Sequence, residues 1–307
     1  MIETALTTRF APSPTGELHL GHAFAALVAR DAARASGGRY LVRIEDIDRA
    51  RCREEFVTRI LDDLEWLGLS PDAPATRQED YLAAHGDALR RLDAMGLVYP
   101  CFCTRAEIRA AASAPQEDGA GVAGGPDGPI YPGTCRRLGA DERRDRIASG
   151  QAYALRLDMA RAIAQAATRA GPLFWRDRNH GTFPAQPEIF GDVVLARKEI
   201  ATGYHLAVTL DDARQGITLV TRGADLMPST HVHRLLQALL DLPVPLYAHH
   251  PLLAGPDGKR LAKRHDALSL RHLREAGYSP AEVAAMAAAA PRLPEPAAPA
   301  GSGIWSG

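Results

Sequence analysis

The chain has 307 residues, 46% hydrophobic and 24% charged, the composition of a soluble globular protein of about two domains. A formal net charge of −1 excludes a global basic field, so a nucleic-acid partner would have to meet local patches. Four cysteines are too few for a disulfide framework, no apolar run is long enough to span a membrane, and Met1–Thr4 does not read as a signal peptide, so a cytoplasmic protein is expected.

The first informative stretch is Arg9-Phe10-Ala11-Pro12-Ser13-Pro14-Thr15-Gly16-Glu17-Leu18-His19-Leu20-Gly21-His22. Pro12 and Pro14 stiffen an extended loop, Gly16 allows a turn, and Phe24, Leu27 and Val28 follow at helical spacing. The pattern is strand, loop, helix, with His19 and His22 at the helix start. Free backbone N–H groups and the positive dipole end are expected there, a natural phosphate site. By the spacing of the two histidines alone, a capped helix with two exposed histidines is the favoured reading.

Residues 40–44 read as a buried strand ending in Glu45-Asp46-Ile47-Asp48-Arg49. Acidic residues past such a strand lie where open α/β sheets bind ligands, or they make a polar turn. Helices are predicted over 53–67 and 80–95, completing a βαβα alternation. The pattern then changes: 111–128 is an Ala/Gly/Pro-rich loop between Cys101-Phe102-Cys103 and Tyr131…Cys135. Those three thiols and a phenol suit one tetrahedral zinc, against the alternative of reduced, partly buried cysteines. Cys52 reads as a bystander.

Strands are predicted at 151–158, 190–195, 204–212 and 217–226, then a helix over 230–240. His231, His233, His249 and His250 have no cysteine or carboxylate at ligand spacing and read as structural. Gly258-Lys259 is not a P-loop, since Leu253 and Arg260 stand where that motif needs Gly and Ser or Thr. Basic patches occur at Arg136-Arg137 with Arg143, Arg144 and Arg146, and at Lys259 to Arg264; solvated helix faces would look the same. Helical sequence to about residue 290 precedes a Pro/Ala/Gly/Ser tail.

The segment from Arg9 to His22 resembles the signature of class I aminoacyl-tRNA synthetases, with His19-Leu20-Gly21-His22 as HIGH, and its glutamyl branch in particular. The resemblance implies an α/β fold: a Rossmann-like parallel-sheet catalytic domain, a zinc-bearing insertion and a short C-terminal helical segment. It divides the chain into catalytic halves at 1–98 and 188–246, an acceptor-binding insertion at 99–187, a KMSKS-like loop and stem-contact segment at 247–291, and a disordered tail at 292–307. It implies that Arg9, Phe10, Ala11, Pro12, Ser13, Glu45, Tyr204 and Arg222 contact glutamate, the arginines taking carboxylates and Glu45 the ammonium. His19, Gly21, His22, Arg260 and Lys263 would bind ATP, with His19, His22 and Lys263 catalytic. Arg260 and Ala262 depart from KMSKS, Ile47 from the usual Thr, and Ala224 from a common Glu.

The short glutamyl-queuosine-tRNA(Asp) synthetases carry a Cys-x-Cys…Tyr-x-x-x-Cys zinc site, matched by Cys101, Cys103, Tyr131 and Cys135 with a longer Gly-rich insert. This resemblance implies one structural zinc, ATP with magnesium, L-glutamate, queuosine-containing tRNA(Asp) as partner, no membrane and a monomer. The catalytic pattern is spent by about residue 270, too early for an anticodon-binding domain of usual size. An ordinary glutamyl-tRNA(Glu) synthetase charging the 3′ end, or a non-catalytic tRNA- or glutamate-binding paralogue, are the alternatives.

Overall fold

The computed structural model describes residues 5–113, 124–197, 201–255 and 269–294. The KMSKS-like residues Arg260, Ala262 and Lys263, most of the Gly-rich insert and nearly all of the tail lie outside the described residues.

The chain opens with β1 (Thr7–Phe10), α1 (Leu20–Ala35), β2 (Arg39–Ile44), α2 (Glu54–Trp66), β3 (Thr76–Arg77) and α3 (Leu82–Ala94). There follow β4 (Val98–Cys101), α4 (Arg105–Ser113), a hairpin of β5 (Gly124–Gly125) and β6 (Gly128–Pro129), and α5 (Ala140–Ala148). Next come β7 (Ala154–Leu157), α6 (Met159–Ala170), β8 (Phe174–Asp177), β9 (Gly181–Pro184) and β10 (Val194–Arg197). The last stretch holds α7 (Tyr204–Arg214), β11 (Leu219–Gly223), α8 (Ser229–Leu240), β12 (Leu246–His250), α9 (Leu270–Glu275) and α10 (Pro280–Ala289).

β1, β2 and β3 pair in parallel, as do β11, β12 and β8, with β9 closing the edge antiparallel. β1 lies beside β11, where Thr218 N–H donates to the Thr7 carbonyl (3.0 Å). The two halves of the chain therefore meet at β1 and β11, the kind of seam where open α/β sheets place ligands. A separate antiparallel sheet has the order β10-β7-β4.

α1 buries only Ala23, Ala26, Ala29 and Ala33 beyond Leu20, small residues that let it lie close on the sheet. Gly38 is required at the return to β2, because a Cβ there would sit 1.9 Å from the Leu6 carbonyl oxygen. Leu270, Leu273, Val283 and Ala287 of α9 and α10 return to the same core as α1. Among the described residues no helix is long and apolar enough to cross a membrane.

Two sequence expectations are corrected. Residues 204–212 form helix α7 rather than a strand, with Leu206, Ala207, Val208 and Thr209 all buried. Burial on nearly every side erases the one-sided apolar stripe that marks a helix, and a short apolar run then mimics a strand. Strand β10 starts at Val194, because Pro187–Phe190 forms a single 3-10 turn ended by Gly191 at φ 60°. Helix α5 also escaped the apolar pattern, since it buries none of its residues.

Candidate functional site

At the seam, Arg9 from β1, Arg43 from β2 and Asp212 from α7 form a buried charge cluster. Arg9 donates through Nε and Nη2 to the two carboxylate oxygens of Asp212 (2.9 and 3.2 Å), and through Nη1 to the Thr221 carbonyl (3.0 Å). Arg43, with a fully buried side chain, donates to Asp212 Oδ1 (2.7 Å), Gln215 Oε1 (2.8 Å) and Glu45 Oε1 (3.2 Å). Burial alone would push Asp212 up, yet Arg9 and Arg43 outweigh it and hold the carboxyl below its usual range. Glu45 goes the other way: burial outweighs Arg43 and Arg9, and its pKa is raised.

Arg222, on β11, is 7% exposed and differs in kind. Its Nε donates to His249 Nε2 (3.0 Å), Nη1 to His233 Nδ1 (3.2 Å) and Nη2 to Thr230 Oγ1 (2.6 Å). Burial lowers His249 to about 4 and holds His233 well below the usual imidazole value, so both are neutral acceptors. Among the described residues no carboxylate pairs with Arg222. Asp225 also lines the cavity that holds Arg222, and Asp211 adds its charge to those around Arg43.

His19 is the N-cap of α1, its Nδ1 accepting from Gly21 N–H (3.1 Å), while His22 Nδ1 accepts from His19 N–H (3.1 Å). The rings lie 3.9 Å apart. The expectation of free backbone N–H groups is thus corrected, since the imidazoles occupy two of them. Because each Nδ1 accepts, each proton is assigned to Nε2, and the helix start presents imidazole N–H donors instead.

A cavity of about 230 Å³ is lined by Arg9, Arg222, Glu45 and Tyr204 together with Phe10, Ala11, His19, Gly21 and His22. Ser13 lines the adjoining cleft of about 740 Å³, which shares Glu45 and Tyr204 with it. Pro12 lines neither; its carbonyl accepts from Glu45 N–H (2.9 Å) and so fixes the end of β2.

Across the larger cleft stands the cysteine cluster. The sulfurs of Cys101, Cys103 and Cys135 all lie within 4.8 Å of one another, Cys103 and Cys135 being 3.5 Å apart. Tyr131 Oη is 3.6 Å from Cys103 Sγ and accepts from Cys135 N–H (2.7 Å). Zinc–sulfur bonds of about 2.3 Å place tetrahedral sulfurs roughly 3.8 Å apart, so the donor set fits a soft divalent metal. Burial pushes the Cys103 thiol up to about 11, so binding there would displace protons. Tyr131 also lines the cleft, with the Arg156 guanidinium 4.1 Å from its ring centroid. Cys52 lies outside the cluster, on the cleft wall.

Sequence reasoning missed Arg43, Asp212, Thr230 and the role of His233 and His249 around Arg222. Arg43 did carry a signal: a charge inside Leu41-Val42-Arg43-Ile44 must find a partner when the strand is buried. The histidines carried none, because their partners are brought together only by the sheet.

Over residues 5–289 the chain matches the family of tRNA synthetases class I (E and Q), catalytic domain. It is 52% identical over 282 residues to the glutamyl-Q tRNA(Asp) synthetase of Rhodobacter capsulatus, covering 91% of this chain and 98% of that one. The protein of the same name from Symbiobacterium thermophilum is 46% identical over 287 residues, covering 91% and 84%. Among solved structures, a glutamate tRNA ligase from Elizabethkingia meningosepticum, in complex with its amino acid, matches with a TM-score of 0.74 and 27% identity. The match covers 93% of this chain and 60% of the ligase, so the chain spans about three-fifths of that protein's length.

Proposed function

The chain belongs to the class I tRNA synthetase family for Glu and Gln, and from that premise we propose that it activates L-glutamate with ATP and transfers it to queuosine in the anticodon loop of tRNA(Asp). The observation that carries the glutamate half is Arg222, a buried guanidinium held by neutral partners in the same cavity as Glu45. On this reading Arg222 and Tyr204 receive the side-chain carboxylate, and Glu45 the ammonium. Arg9, held by Asp212 and lining the same cavity, is the second cation for a carboxylate, and Phe10, Ala11 and Ser13 shape the pocket wall. The acceptor half follows the relatives, whose shared name is glutamyl-Q tRNA(Asp) synthetase.

In the first step an oxygen of the α-carboxylate attacks the α-phosphorus of ATP, forming the mixed anhydride and releasing pyrophosphate. No side chain serves as nucleophile. Positioning and charge stabilisation do the work, through the imidazole N–H donors of His19 and His22 beside Gly21. Lys263 and Arg260, which lie outside the described residues, add cations for the phosphates by their resemblance to KMSKS, and magnesium accompanies the nucleotide. In the second step a queuosine hydroxyl takes the acyl group and AMP leaves. Zinc on Cys101, Cys103, Tyr131 and Cys135 holds the insertion in shape. The enzyme works in the cytoplasm as a monomer.

Pyrophosphate exchange tests the first step. The purified protein should exchange pyrophosphate into ATP in a glutamate-dependent, tRNA-independent reaction. Arg222→Ala should raise the glutamate KM about tenfold or more, the scale of one charge-assisted contact. Exchange supported by glutamine as well as by glutamate would defeat the reading.

Glu45 sets an expected pH dependence. Its pKa is raised in the free site, and an arriving ammonium favours the carboxylate, so glutamate binding releases a proton as pH falls through that value. The glutamate KM should be flat at higher pH and rise below the free-site pKa. In Glu45→Gln the KM should be high and lack that rise.

A further inference from the structure

The hydrogen bonds behind Arg222 form two directional chains. Arg222 can only donate, so the nitrogens it meets must be unprotonated. His249 Nε2 accepts from Arg222 Nε; its proton therefore sits on Nδ1, which donates to Asp177 Oδ2 (2.7 Å). Asp177 is fixed in turn by the backbone N–H groups of Asn179, His180 and His249 (2.8, 3.1 and 3.0 Å). On the other side, His233 Nδ1 accepts from Arg222 Nη1, which leaves His233 Nε2–H to donate to His205 Nδ1 (3.2 Å). His205 Nε2–H then points to Asp127 Oδ2 (3.4 Å) in the turn between β5 and β6.

A guanidinium has five N–H donors. Three of Arg222's go to His249, His233 and Thr230, which leaves one on each terminal nitrogen. A carboxylate can take two N–H donors of one guanidinium side by side. Arg222 lines the smaller cavity, whereas His249, His233 and Thr230 do not. The acceptors thus approach from behind the guanidinium, and as neutral groups they leave its charge undiminished.

We propose that His249 and His233 are positioning residues that select a carboxylate-bearing side chain, each acting through Arg222 by fixing which two of its N–H groups face the cavity. The proposal rests on the reading of Arg222 as the carboxylate contact. Its sharpest consequence concerns hydrogen bonding at nearly constant side-chain size. Glutamine at either position offers an acceptor to Arg222 and a donor to Asp177 or His205; leucine offers neither.

The test is pyrophosphate exchange by the full chain, with the glutamate KM, ATP KM and kcat measured separately. His249→Leu and His233→Leu should each raise the glutamate KM about tenfold, with ATP KM within about twofold of the parent. His249→Gln and His233→Gln should recover most of that loss. If a leucine variant does not fold, the asparagine variant at that position replaces it, since its shorter amide cannot span both partners. Leucine variants with a parental glutamate KM, or glutamine variants as impaired as the leucine ones, would overturn the positioning role. Arg222→Ala separates the two levels: an unchanged glutamate KM there removes the underlying reading, whereas a raised KM beside unaffected leucine variants removes only the inference.

Discussion

Replacing Asp212 by alanine is expected to destabilise the fold by ~3–5 kcal/mol, because removing one partner of a buried ionic group strands the charges it served. Asp212 serves two, Arg9 and Arg43, whose side chains are 6% and 0% exposed. Whole-domain stability is about 5–15 kcal/mol, so the variant should unfold at much lower urea and bind glutamate poorly. The surface pair Arg144–Asp141, with side chains 76% and 85% exposed, is the control. Asp141→Ala should cost less than about 0.5 kcal/mol, since exposed pairs gain little over their hydration. The Asp212 contribution also has a pH window. Its folded pKa is depressed, so the stabilisation is complete above the unfolded carboxyl value of about 3.9 and is lost as pH falls through the folded one. A parental urea midpoint in Asp212→Ala would contradict this account of the seam.

Metal removal should have the other large effect, confined to the insertion. The cluster around Cys101, Cys103, Tyr131 and Cys135 has a small core of its own, chiefly Tyr99 and Phe102 with those ligands. Structural zinc in small sites contributes on the order of 10 kcal/mol to folding, far more than so few side chains can supply. Elemental analysis should find about one zinc per chain, absent in Cys135→Ser. Limited proteolysis of the chelated protein should then cut between β4 and β7 while α1 and its sheet stay intact. A metal-free protein with the parental cleavage pattern would remove zinc from the account.

Much of this was legible in the sequence because it is local. The strand, Pro-stiffened loop and helix around His19 follow from residues adjacent in the chain, as does the acidic end of β2 at Glu45. What failed was non-local. Helix α7 hides its period because it is buried nearly all round, so Asp212 was placed on a strand and its partners Arg9 and Arg43 went unseen. The free N–H groups expected at α1 were already taken by the two histidines, a reciprocal cap outside the usual Ser/Thr–Glu pattern. His233 and His249 are 16 residues apart and meet only at Arg222, on the strand between them in space.

The acceptor is the central claim, and one incubation addresses it. The enzyme is given ATP, labelled glutamate and tRNA(Asp) that contains or lacks queuosine, with a parallel sample whose 3′ ribose has been oxidised. Label should appear only on queuosine-containing tRNA(Asp) and should survive 3′ oxidation. Label on tRNA(Glu) that oxidation abolishes would contradict the proposal and make the protein a 3′-charging glutamyl-tRNA synthetase.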